Sequence, residues 1–80
     1  MINLPKIGGI YRHYKGNGYV VTAIAKDADT LELRVIYIDE NMETWDRRVT
    51  GLDPKTGQPS GWCDPLPDGR ERFSLVVFQD

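Results

Sequence analysis

Cysteine and histidine are almost missing from this 80-residue chain, which holds one of each, Cys63 and His13. A lone cysteine excludes an intrachain disulfide, and Cys63 with His13 cannot supply the four ligands of a structural zinc site. No metal or cofactor is therefore expected, and a reduced, cytoplasmic setting is the default. No apolar run approaches the roughly 18–20 residues that a membrane helix needs. Residues 1–10 carry no apolar stretch of the kind that marks a secretory leader. No window shows an apolar stripe at helical spacing. Acidic side chains are missing from the first third: Lys6, Arg12, Lys15 and Lys26 stand unopposed before Asp27, whereas six basic residues face twelve acidic ones from Asp27 onward. The net charge of −2 and pI near 5.3 argue against a general nucleic-acid coat protein, but leave room for a local basic face on an acidic body.

What the chain does have is turn residues at regular intervals. Gly16-Asn17-Gly18 suits a tight hairpin. Lys26-Asp27-Ala28-Asp29, Asp39-Glu40-Asn41, Asp53-Pro54-Lys55-Thr56-Gly57 and Pro67-Asp68-Gly69 follow. Between them lie strand-like runs. Residues 19–25 are rich in Val, Thr and Ile. Residues 31–38 alternate Leu31, Leu33, Val35 and Tyr37 against Glu32 and Arg34, with Ile36 and Ile38 on the second face. Residues 44–49 place Trp45, Arg47 and Val49 on one face. Residues 73–78 form a continuous apolar run and read as a buried closing strand. Short strands at this spacing predict one all-β domain over residues 1–80, a small barrel of five to six antiparallel strands. Residues 51–69 hold four of the five prolines and are excluded from a regular central strand. With Trp62 inside them they are expected to fold back as a lid or an irregular hairpin, Trp62 either covering the barrel mouth or simply plugging the small core.

The densest chemistry lies in Gly9-Ile10-Tyr11-Arg12-His13-Tyr14-Lys15-Gly16. As a strand, it puts Tyr11, His13 and Lys15 on one face and Ile10, Arg12 and Tyr14 on the other. Tyrosine, histidine and lysine side by side can stack a flat ring and hold a phosphate, with Trp45 or Tyr19 completing the platform. The competing reading is architectural, with the tyrosine rings in the core, their hydroxyls at the rim and Arg12 paired across strands with Glu32 or Asp46. His13 can serve as an acid–base group near neutral pH, or simply pack. A Cys63–His13 dyad stays open, though Cys63 beside Trp62 and Pro65 reads as a packing residue. Asp27 with Asp29, and Asp64 with Asp68, lack the further oxygen ligands of a calcium loop. Gly16-Asn17-Gly18 lacks the Lys-Ser/Thr and helix of a phosphate loop.

The same eight residues resemble the opening signature of the domain of unknown function 1653 family, small bacterial and phage proteins that carry Gly-x-Tyr-Arg-His-Tyr-Lys-Gly. Tyr19-Val20-Val21, Ile24-Ala25, Val35-Ile36-Tyr37, Trp45 with Arg47, and Arg72-Phe73 are similar to later family positions. Asp27-Ala28-Asp29-Thr30 stands where the family has a His-Ser-Glu-Thr turn. Trp45-Asp46-Arg47-Arg48 lacks the family's proline, and residues 50–70 have no counterpart. The resemblance implies an SH3-like barrel of unassigned function.

Three functional readings follow. The first is a non-enzymatic binding module that holds nucleic acid or another anionic ligand through Tyr11, Arg12, His13, Tyr14, Lys15 and Trp45. The second is a structural or assembly domain that contacts a protein partner through an exposed strand edge. The third is a small hydrolase using His13, which needs a pocket that so short a chain can barely enclose. No membrane partner is expected.

Overall fold

The computed structural model describes residues 3–78. Its strands are β1 (Ile10–His13), β2 (Gly18–Lys26), β3 (Leu33–Ile38), β4 (Thr44–Arg48) and β5 (Phe73–Val77). All pair antiparallel in one sheet of order β4-β3-β2-β1-β5. The all-β expectation holds. The sheet is not a closed barrel, because the edge strands β4 and β5 do not pair with each other.

Short-range chemistry sets the hairpins. Gly16, at φ 107°, lets the chain reverse between β1 and β2, where the His13 N–H donates to the Asn17 carbonyl at 2.8 Å. In the next two turns an aspartate caps the backbone. Asp27 Oδ1 accepts from the N–H groups of Asp29 and Thr30 at 2.9 and 3.0 Å, and Asp39 Oδ1 from those of Asn41 and Glu43 at 2.8 and 2.9 Å. Leu31, at φ 64°, belongs to the first of these turns, so β3 starts two residues later than the alternation suggests.

A register shift between Val21 and Ala23 inserts one residue into β2 against β3. Val21 therefore lies opposite Tyr37 and Ile24 opposite Val35, and both point to the same side. Such a bulge bends the sheet. The inner side gathers Tyr11, Val21, Val35, Tyr37 and Phe73 from four strands, with Val49 just beyond β4.

Trp62 completes this core from outside the sheet. Its ring stacks on Phe73 with centroids 3.7 Å apart and planes 1° from parallel. It meets Tyr11 and Tyr37 edge-on at 5.4 and 5.1 Å. The loop is pinned by the Trp62 N–H to the Arg48 carbonyl and the Cys63 N–H to the Val49 carbonyl, both 2.8 Å. Asp64 Oδ2 also accepts from the N–H groups of Gly51 and Gly61 at 3.0 and 2.9 Å. The proline-rich stretch is thus an irregular cover with one isolated bridge, Leu52 to Pro59.

One expectation is corrected. Residues 73–78 are not a buried strand: Phe73 is buried, but Leu75, Val76, Val77 and Phe78 are 38–53% exposed. β5 is a sheet edge, and the stacked Trp62 covers only its first residue.

Candidate ligand site beside the first hairpin

The signature residues separate once folded. Tyr11 is buried, and its hydroxyl accepts the Lys6 N–H at 2.8 Å, so it ties the N-terminal segment to the core. Arg12 is exposed on the opposite side of β1, between Gly18 and Ser74. The carboxylates expected to pair with it are taken by Arg34, which reaches Glu32 and Asp46 at 2.7 Å each. That expected Arg12 pairing is therefore replaced by an Arg34 network.

His13, Tyr14 and Lys15 stay together. The His13 ring lies 4.4 Å from Tyr14 and 4.9 Å from Phe73. Its Nδ1 accepts the Lys15 N–H at 3.2 Å, which leaves the proton of the neutral ring on Nε2. Burial, and then the charges of Arg47, Lys15 and Arg72, hold its pKa below the ordinary histidine value. Tyr14 is 43% exposed, and the Lys15 ammonium sits 5.7 Å from its ring centroid.

Trp45 lies elsewhere. It pairs across from Tyr37 on β4 and donates from Nε1 to Asp39 Oδ2 at 2.8 Å. That bond, followed by the Glu43 N–H, holds the Asp39 carboxyl below its usual range. Among the described residues Trp45 makes no ring–ring contact. Tyr19 instead packs edge-on against Tyr37 and Phe73 at 5.1 and 6.0 Å.

Two arginines join the His13 cluster that the signature alone does not indicate. Arg47 places its guanidinium 5.4 Å from the Phe73 ring centroid and donates from Nη1 to the Ser60 carbonyl at 2.7 Å. Its Nε is buried with no acceptor among the described residues. Arg72 donates to the carbonyls of Pro59 and Asp64 at 2.9 and 3.3 Å. The alternation of β4 already put Arg47 on the inner face. Nothing local marks Arg72, because its partners lie on the cover.

Salt bridges take up only some of the cations. Arg34, Arg48 and Arg70 are salt-bridged to Glu32, Asp46 and Asp68, whereas Lys6, Arg12, Lys15, Lys26, Arg47, Lys55 and Arg72 form no salt bridge among the described residues; of these, Lys15, Arg47 and Arg72 gather about His13. On the side of Arg72, an open groove of about 560 Å³ runs between Tyr14, Arg72 and the cover residues Pro59, Pro65, Leu66 and Pro67. Asp53 and Asp64 also line it, but both are engaged by backbone, Asp53 Oδ1 by the Lys55 N–H at 2.7 Å and Asp64 by the two glycines above.

Cys63 borders a second groove, of about 740 Å³, on the other side of the cover, between residues 3–6 and β5. Its thiol donates to the Asn3 carbonyl at 3.5 Å, and burial, then Asp64, push its pKa up. No hydrogen bond joins it to His13, and the shifts of both groups disfavour a thiolate–imidazolium pair.

The chain is thus a small all-β domain in which a single curled sheet is capped by a loop-borne tryptophan and bordered by surface grooves rather than an enclosed pocket. It belongs to the family described as protein of unknown function (DUF1653), whose model matches residues 9–51. No curated protein and no solved structure matches it. The matched segment runs from the start of the signature through β4 and ends as the cover begins, so it includes Tyr14 and Arg47 but not Trp62 or Arg72. Among the described residues no helix is long and apolar enough to cross a membrane.

Proposed function

We propose that this domain is a binding module for an anionic ligand carrying a flat ring, of the kind a single-stranded nucleic acid presents, held beside Tyr14. The observation that carries this reading is the cluster of Lys15, Arg47 and Arg72 around His13, whose ring lies beside the exposed Tyr14, with none of the three cations salt-bridged among the described residues. Among the described residues Arg34, Arg48 and Arg70 are salt-bridged, and of the cations that are not, Lys15, Arg47 and Arg72 are grouped about His13, so this rim favours an anion by Coulomb attraction. A base stacks on Tyr14, its phosphate lies against Lys15 and Arg72, and the lowered pKa of His13 keeps that ring neutral and able to donate from Nε2. Within this reading Tyr11 and Arg12 leave the ligand set, and Trp45 is a separate rim residue.

An amide-shift titration with short RNA and DNA oligonucleotides tests it. Shifts should cluster on residues 13–15 and Arg72. Two phosphate contacts on a single strand predict about a sevenfold loss of affinity between 50 and 200 mM salt. Tyr14→Ala should weaken binding about tenfold or more through the lost stacking. Salt-independent binding, or shifts confined to β4, would remove this reading. A second reading, an assembly role, is favoured by one specific observation, the exposed apolar edge at β5.

A further inference from the structure

We propose that β5 is the seam of a two-fold symmetric homodimer, in which the β5 strands of two copies pair antiparallel. The backbone directions set this up. The Tyr14 N–H donates to the Arg72 carbonyl at 2.9 Å, and the same register continues as Arg12 opposite Ser74. Hydrogen bonding alternates along an antiparallel strand. Arg72 and Ser74 therefore turn their amides toward β1, while Phe73 and Leu75 turn theirs to the open edge. Among the described residues no strand pairs with that edge.

Edges of this kind are normally guarded by charge, proline or a bulge. β4, the other edge, carries Asp46, Arg47 and Arg48. Residues 73–78 contain no charge and no proline. The register shift around Val76 bends the strand without adding a repelling group. Apolar surface continues from β5 onto Leu4 and Ile10. The exposed parts of these side chains amount to roughly 500 Å² per copy, so a symmetric pair that covered all of them would reach about 1,000 Å², the lower bound of a specific interface.

Charge selects a second copy of this chain over an unrelated strand. Lys6 sits at one end of β5, its ammonium 5.3 Å from the Phe78 ring centroid, and Glu71 lies just before the other end. Neither forms a salt bridge among the described residues. The extra residue at Val76 resets the alternation, so that Val77 faces Ile10 and Phe78 turns to the open edge like Phe73. Antiparallel pairing of Phe73 with Phe78 of the second copy then brings Lys6 near Glu71 of that copy, and symmetry makes the contact twice. A two-fold interface requires this kind of self-complementarity.

Sedimentation equilibrium from about 1 to 200 µM tests the proposal, the expected dissociation constant lying inside that range. Val76→Lys, at an exposed position with no core role, should give a monomer with an unchanged circular dichroism spectrum. Lys6→Glu and Glu71→Lys should each weaken the dimer by about tenfold, since each reverses two ion pairs, and the double variant should recover the affinity. Hydrogen exchange at the Phe73 and Leu75 amides should slow as concentration rises. A monomer throughout the range, a dimer that survives Val76→Lys, or a double variant no tighter than the single ones would each overturn it.

Discussion

Replacing Gly61 by alanine should disable the cover and with it the core. Gly61 is buried where the loop crosses the end of β4, and an added Cβ would lie 2.6 Å from the Val49 carbonyl oxygen, 2.8 Å from the Thr50 nitrogen and against Thr50 Cα. All three are backbone atoms and cannot rotate aside, so the loop must lift. Overpacking of this type costs about 1–3 kcal/mol. Lifting also lengthens the Trp62-to-Arg48 and Cys63-to-Val49 hydrogen bonds, each contributing about 1 kcal/mol net. The expected loss is about 3–5 kcal/mol, comparable to the whole stability of a domain this size. Gly57→Ala is the control: Gly57 has open space around it and pays only for its φ of 72°, about 1–2 kcal/mol. Urea unfolding followed by tryptophan fluorescence measures both. If Gly61→Ala lost no more stability than Gly57→Ala, the argument that backbone contact seats Trp62 would be wrong.

Two further outcomes follow from single groups. Tyr11→Phe removes the acceptor of the Lys6 N–H and should cost about 1 kcal/mol, with faster exchange at the Lys6 amide; unchanged exchange there would show that residues 3–6 are held by other contacts. His13 has a folded pKa below its unfolded value of about 6.5, so the unfolded chain takes up the proton first on acidification, and stability should fall as pH drops from about 6.5 toward the folded pKa. His13→Gln should flatten that slope in thermal melts, and an unaltered slope would locate the titrating group elsewhere.

Much of the fold was legible from local pattern. The alternation through Val35 and Tyr37, and through Trp45 and Arg47, assigned the inner face correctly, because side chains alternate along any strand. The turns at Asp27 and Asp39 were readable from residue type, since a short carboxylate caps the amides just after it. The pattern failed where context overrides composition. Residues 73–78 look buried by hydrophobicity, but an edge strand has cover on only part of its length. The signature octapeptide looks like one site, yet Tyr11 is consumed by the core, and because β1 ends at His13 the Tyr14 ring comes to lie beside His13 instead of on the face of Arg12.

The sequence by itself determined the strand periods, the hairpin turns, the family and the charge asymmetry between the two parts of the chain, because each depends on neighbours in the chain or on residue counts. Only the tertiary structure decided which cations stay without carboxylate partners. It also decided that Trp62 stacks on Phe73, that Arg72 joins His13 beside the groove, and that β5 is left as a bare edge. These depend on residues far apart in sequence meeting across a bent sheet, and the bend itself comes from one extra residue in β2 whose effect appears only when β3 is laid beside it.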